Sequence, residues 1–275
     1  MKSFSGRVAA ITGAGSGIGR ALAQALAGQG AELAISDIDE AGLERTATDC
    51  HNIGATVSTA VLDVSERDAV YAWADQVVAD HGGVHLIVNN AGVALESSVA
   101  LMSDRDFEWL MDINFWGVVH GTKAFLPHLK AAGEGHVVNI SSVFGLLSIP
   151  TQSAYNAAKF AVRGFTDALR MELDMEPCGV SATTVHPGGI KTNIARNARK
   201  NPVGAAGDQI PQSNTEEFEK LLRTSPEEAA RQILVAVRKN RRRALIGPDA
   251  KVFDLLSRLP AAISGRLIVA GAGRF

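Results

Sequence analysis

Residues 11–22 read ITGAGSGIGRAL, with glycine at 13, 15, 17 and 19 directly after the apolar run VAAI at 8–11. A glycine-rich turn between a strand and a helix is suited to hold phosphate. The helix N-terminus offers unpaired N–H groups and a partial positive charge. The usual dinucleotide spacing, G-x-G-x-x-G, is not met. Counting from Gly13 it needs a glycine where Ile18 stands, and from Gly15 it needs one where Arg20 stands. The spacing that is met is Thr12-Gly13-x-x-x-Gly17-x-Gly19. Its physical demands are the same: a tight turn, a close approach of backbone to pyrophosphate, and close packing of helix on strand. Gly15 is surplus to that pattern, and Arg20 is expected to run along the helix. The bland alternative is an ordinary strand–helix turn.

Outward from this loop, β-branched runs alternate with helical spacing. The runs lie at 7–12, 32–36, 56–62, 84–89, 136–140 and 180–185, and RRRALIGP offers a last one. Between them, Ala21, Leu22, Ala25 and Leu26 recur at helical intervals. A second helix is expected to open with Ser65 as N-cap and Asp68 three residues on, burying Val70, Trp73, Val77 and Val78. Ser103 with Asp106, and Ser225-Pro226 with Glu228, repeat the capping device. The strands lack polar alternation, as expected where both faces are covered. The fold class is therefore α/β: a single Rossmann-type doubly wound parallel sheet of about seven strands, with helices on both faces. We read residues 1–275 as one domain. A polar, glycine-rich stretch at about 190–225 reads as a substrate lid, and about 248–275 as a helical C-terminal extension. In that extension Val252, Leu255, Leu256 and Leu259 form a stripe broken by Pro260, expected to pack back on the protein.

Composition excludes several classes. Of 275 residues, 46% are hydrophobic and 20% charged, which rules out a chain dominated by disorder. A net charge of −2 gives no basic field for nucleic acid. Two cysteines, Cys50 and Cys178, do not suggest a disulfide scaffold, and a reducing, cytoplasmic setting is expected. Neither a C-x-x-C pair nor H-E-x-x-H is present, so no metal is expected. The sequence shows no apolar run of about 18 residues and no early signal pattern. Peripheral membrane contact through the extension, beside Arg241, Arg242 and Arg243, is the less favoured reading of that segment.

Chemistry enters with a few polar residues. Asp37 ends the second strand, where a carboxylate can accept from ribose hydroxyls and repel a 2′-phosphate; it points to NAD rather than NADP. Tyr155 and Lys159 stand at i and i+4, on one face of a helix. A phenol with an ordinary pKa of about 10 needs help to act as a base near neutrality, and an ammonium group can give it. Ser142 lies thirteen residues before Tyr155, just past a strand end, with Ser141 as its rival. NNAG at 89–92 and HPGGIKT at 186–192 also follow strands, and open parallel sheets bind ligands at such ends.

Together these features resemble the compact branch of the short-chain dehydrogenase/reductase family. The matches are TGxxxGxG at 12–19, Asp63-Val64, NNAG at 89–92, Asn114 in DINFWG, ISS at 140–142, Tyr155-x-x-x-Lys159, and Pro187-Gly188 with Thr192. They cover residues 5–195 strongly and the rest loosely. The resemblance implies an NAD-dependent oxidoreductase interconverting a secondary alcohol and a ketone. Tyr155 would be the acid/base, Ser142 would hold the substrate oxygen, Lys159 would bind the nicotinamide ribose and lower the Tyr155 pKa, and Asn114 would anchor a water relay. Gly13, Ser16, Gly17, Ile18 and Gly19 would cradle phosphate, and Asp37 would meet ribose. Asp63 and Val64 would flank adenine. Asn89, Asn90, Ala91 and Gly92 would line the cofactor, as would Pro187, Gly188, Ile190 and Thr192. Val93, Leu95, Val143, Phe144 and Gly189 would join Ser142 and Tyr155 around an apolar small-molecule substrate. A homodimer or homotetramer is implied, with Phe160, Ala161, Phe165 and Leu169 on a helix suited to a dimer contact. A catalytically idle dinucleotide-binding scaffold is the alternative. A serine hydrolase lacks both G-x-S-x-G and S-x-x-K.

Overall fold

A computed structural model describes residues 1–200 and 223–272. Among the described residues nine strands occur in chain order: β1 Val8–Thr12, β2 Glu32–Asp37, β3 Val57–Val61, β4 Leu86–Asn89, β5 Leu95–Glu96, β6 Gly135–Ile140, β7 Val180–Pro187, β8 Arg199–Lys200 and β9 Arg243–Ile246. Seven form one sheet in the order β3-β2-β1-β4-β6-β7-β9, and every neighbouring pair in it is parallel. The chain order reverses between β1 and β4. A crevice opens there at the strands' C-terminal ends, where such sheets bind ligands.

The α-helices are α1 Gly17–Ala27, α2 Glu40–Ile53, α3 Arg67–His81, α4 Asp104–Met111, α5 Gly117–Ala131, α6 Ser153–Met175, α7 Pro226–Arg238, α8 Pro248–Leu256 and α9 Ala261–Ala272. They cover both faces of the sheet. On one, Ile11, Leu33 and Ile35 meet Leu22 and Leu26 of α1 and Ile233 and Val237 of α7. On the other, Val8, Ala10 and Ile87 meet Trp73 of α3, Phe125 and Leu129 of α5 and Leu169 of α6. Adjacent residues of β1 thus enter opposite cores, which is why that strand reads as an unbroken apolar run.

Two of the expected caps form. Ser103 Oγ accepts from Asp106 N and Ser225 Oγ from Glu228 N. Ser65 does not cap. Its N–H and hydroxyl both donate to Asp63 Oδ1, at 2.9 and 2.7 Å, closing a turn, and α3 starts later, at Arg67. The expected lid falls mainly on residues outside the described set. Its described beginning, β8, pairs in parallel with β5. There Arg199 stacks 3.5 Å over the Trp109 ring and pairs with Asp106.

The extension departs from expectation. It is helical, but its stripe does not pack inward: Val252 and Leu255 are 58% and 67% exposed. The inward side of α8 instead presents Ala250 and Asp254. Asp254 lies 3.5 Å from Arg243 of β9 and 2.7 Å from Arg258. A buried carboxylate with two guanidinium partners orients this helix, so its apolar side faces out.

Candidate active site

The glycine loop is built by crowding. Gly13 has φ +67, and a Cβ there would stand 2.7 Å from Ala91 Cα. A Cβ on Gly19 would collide with the Gly13 carbonyl and stand 2.6 Å from Asn90 Nδ2. Gly17, at φ +52, faces Thr192 across the crevice. The surplus Gly15 proves useful: its N–H donates to Asp37 Oδ2 at 2.7 Å, and a Cβ would stand 2.8 Å from that oxygen. Arg20 does not run along the helix. It folds back to donate to the Gly15 carbonyl and to Thr46 Oγ1, because those acceptors lie within reach of the first turn of α1. Ser16 makes no capping bond, and the first turn of α1 contains no acid. The loop therefore leaves donors and a positive helix end open, which fits the pyrophosphate of a dinucleotide.

Thr12 and Asn90 were not valued by motif spacing as braces, yet they tie β1 to β4. Thr12 Oγ1 accepts from the N–H groups of Asn90 and Ala91, at 3.0 and 3.1 Å. Asn90 Nδ2 donates to the carbonyls of Thr12 and Gly13. Asn89 is corrected. Its side chain points away from the crevice and donates to Asn139 Oδ1 and Thr122 Oγ1 in a buried polar network beneath α5 and α6. Strand alternation puts Asn89 and Asn90 on opposite faces. Asp63 is turned onto Ser65, and Val64 packs against Gly117.

The reactive end is assembled by β6, α6 and an irregular helix. Ser142 neighbours the Tyr155 phenol, and its Oγ accepts from Phe144 N at 3.1 Å. The rival, Ser141, is buried and donates to the Lys159 carbonyl at 2.8 Å, a structural task. Burial pushes the Tyr155 phenol up to about 12, and the neighbouring Ser142 hydroxyl acts the other way. Burial pushes Lys159 down to about 8. Its Nζ donates to the Ile140 carbonyl at 3.0 Å and lies 5.5 Å from the Tyr155 ring centre. Burial opposes the charged form of each group, raising the phenol and lowering the ammonium.

Asn114 sits in a π-helical turn, Asp112–Trp116, inserted between α4 and α5. Such bulges often mark functional positions, and helical periodicity gives no signal for one. Both ends of its amide engage Val93: Oδ1 accepts from the N–H and Nδ2 donates to the carbonyl, each at 2.8 Å. Gly92 is where Asn114 and Lys159 converge. A Cβ there would lie 3.1 Å from Asn114 Oδ1 and 3.6 Å from Lys159 Nζ.

The apolar residues around this end are Leu95, fully buried with Leu110 and Ala158, and Val93 and Phe144, half-buried. Phe144 meets Tyr155 edge-on at 5.9 Å. Val143 is buried. The Ile190 side chain is also buried, in the core shared with α7, so it can offer a ligand only its backbone. Gly189 has both polar groups engaged, its N–H by Asp249 and its carbonyl by Arg223 and Thr224.

His186 escaped the sequence reading. Its Nδ1 lies 2.8 Å from the Ser142 carbonyl, which can only accept, so Nδ1 holds the proton. Burial pushes its pKa down to about 4, keeping the ring neutral. A lone histidine before Pro-Gly gives no sequence signal for that contact. No cluster suited to a metal occurs among the described residues, and no described helix is long and apolar enough to cross a membrane.

A glycine cradle at the β1/β4 crevice and a serine–tyrosine–lysine group at its other end define a nicotinamide-dinucleotide oxidoreductase of Rossmann type. Comparison with known proteins agrees. Residues 7–203 match the short chain dehydrogenase family model, and the chain belongs to that family. The chain is 52% identical over its whole length to "Putative oxidoreductase SadH" of Mycobacterium tuberculosis, covering 98% of that protein. It is 39% identical over 197 residues, 71% of this chain and 66% of the other, to human estradiol 17-beta-dehydrogenase 11. Among solved structures, a short chain dehydrogenase/reductase from Burkholderia phymatum in complex with NAD matches with a TM-score of 0.84. Its identity is 32%, over 93% of this chain and 94% of that one. The protein is thus an oxidoreductase with a site for an NAD-type dinucleotide.

Proposed function

We propose that the protein interconverts a secondary alcohol and a ketone using NAD(H), with Tyr155 as acid/base. The observation that carries this reading is the meeting of Lys159 and Asn114 at Gly92, with Lys159 Nζ 5.5 Å from the Tyr155 ring centre and Ser142 beside the phenol, at the same sheet edge as the glycine cradle. The loop Gly13–Gly19 and the junctions 90–92 and 187–192 would hold the dinucleotide, which would supply the hydride transfer. The protein's own residues do the rest. Ser142 Oγ holds the substrate oxygen, and the Tyr155 hydroxyl gives that oxygen a proton in reduction or takes one in oxidation. The buried Lys159 ammonium, adjacent to the phenol, favours the deprotonated state once the site is filled. Asn114 fixes the 92–93 backbone and, beside Lys159, offers the place for a water leading protons out.

Asp37 favours NAD over NADP by charge. In this structure it also holds Gly15, so its carboxylate is already aimed at the loop. Val93, Phe144 and Leu95 support an apolar substrate. We read the chain as one catalytic unit acting as a homodimer or homotetramer. Phe160 and Met171 of α6, 39% and 56% exposed, support a partner against that helix. The test is a panel of secondary alcohols with NAD and with NADP, followed by reduced-nicotinamide absorbance. Turnover with NAD on apolar secondary alcohols is expected. No turnover on any member, with dinucleotide bound, would leave the idle scaffold in its place.

A further inference from the structure

We propose that Asp249, from the C-terminal extension, is a positioning residue for the nicotinamide end of the cofactor site. The proposal rests on the NAD(H) reading above and adds a role for a segment outside the 7–203 family match.

Asp249 stands in the first turn of α8. Its Oδ2 accepts from Gly189 N at 2.5 Å, reaching back sixty residues to the loop that follows β7. The space it fills is reserved for it. A Cβ on Gly188 would overlap its carboxylate, and a Cβ on Gly247 would stand 2.6 Å from its Oδ1. Gly247 has φ +92, a conformation that glycine adopts without strain, and that turn swings α8 under the loop. The loop is held from the other side too. The Gly189 carbonyl accepts from Arg223 N and Thr224 N, at 3.1 and 3.3 Å, and Gly188 N donates to the Ile246 carbonyl. Ile190 and Thr224 form a bridge. Gly189 is therefore the knot where the β7 loop, the chain returning after residue 222 and the extension meet.

A carboxylate makes a stronger acceptor than a neutral group for a backbone N–H. The bond also fixes the peptide plane at Gly189, and with it the course of the chain to Thr192, which faces Gly17 across the crevice. Asp249 Oδ1 is buried and has no partner among the described residues. A buried carboxylate oxygen left open is costly. The same helix is docked through the buried Ala250 and Asp254 rather than through its apolar stripe, so polar anchoring sets its position.

The test compares two ligands by calorimetry, NADH and ADP-ribose, the second lacking nicotinamide. Asp249→Ala should weaken NADH about tenfold and leave ADP-ribose within twofold, because the glycine loop is untouched. Asp249→Asn, which keeps an acceptor oxygen, should recover most of the NADH affinity. Should Asp249→Ala fail to fold, Gly188→Ala, which displaces the carboxylate from the other side, should give the same pattern. Equal loss of both ligands, or loss of neither, overturns the positioning role. If the unmodified protein binds neither ligand, the NAD(H) reading itself fails, which is a separate outcome.

Discussion

The two loops that face each other across the crevice are held by different means. The glycine loop at 12–20 is held partly within itself, Gly19 against Gly13 and Arg20 folded onto Gly15, and partly by Asp37 and Asn90 at the ends of the two strands beside it. The loop at 186–192 is fixed by residues far along the chain: His186 on Ser142, Asp249 on Gly189, Thr224 on Gly189. The first is a compact turn whose spacing is its structure. The second is a meeting point of β6, β7 and the C-terminal segment. A motif can encode the turn of the former, whereas the latter has no local pattern and must be folded into place.

This contrast assigns binding chiefly to the first loop and reaction geometry to the second, and variants can break it. Tyr155→Phe should lower turnover by about 10³-fold while NADH binding stays near that of the unmodified protein. If both fell together, the separation of the two ends would be wrong. Stopped-flow turnover and NADH titration measure the two.

Acid stability separates the two halves of the sheet. His136 of β6 is buried against Thr183, and burial pushes its pKa down to about 3. His186 of β7 is pushed down to about 4. Both values lie below the unfolded value, so the unfolded chain binds protons that the folded chain refuses. Stability should fall as pH drops below about 6.5, by up to about 1.4 kcal/mol per pH unit for each histidine until its folded pKa is reached. Melting curves at pH 7.5, 6 and 5 show this. His136→Gln, which keeps a partner for Thr183, should flatten the slope.

Gly19→Ala tests the crowded loop. The added methyl meets the Gly13 carbonyl and should cost roughly 2 kcal/mol of stability. It should also weaken NADH and ADP-ribose alike, unlike changes at Asp249. Equal melting temperature and affinity would show that the loop has slack. The smallest effect is expected at Asp37. Asp37→Ala should weaken NAD by about tenfold and relax the rejection of NADP, since one charge and one Gly15 bond are lost. An unchanged cofactor ratio would remove Asp37 from the discrimination.

Legibility in the sequence follows interaction range. The strands were legible because burial on both faces leaves unbroken apolar runs, and the helix starts at Ser103 and Ser225 because capping is local. Ser65 misled, since the same residue type serves a turn when an aspartate stands two positions before it. Tyr155 and Lys159 were legible as an i, i+4 pair. The π-turn around Asn114 was not, because one extra residue in a helical turn leaves no compositional mark.

By itself the sequence determined the layered parallel sheet and offered the candidates for the phosphate cradle and the reactive side chains. Apolar patterning, glycine spacing and helical register are properties of neighbouring residues. Only the tertiary structure decided that Ser141 is spent on the Lys159 carbonyl and that Asn89 faces away from the crevice. It also decided that burial sets the protonation of Tyr155 and Lys159, and that Asp249 closes onto Gly189. Each of these depends on which segments pack together in three dimensions, where a single bond to a buried N–H can select one arrangement among several that the same residues would allow.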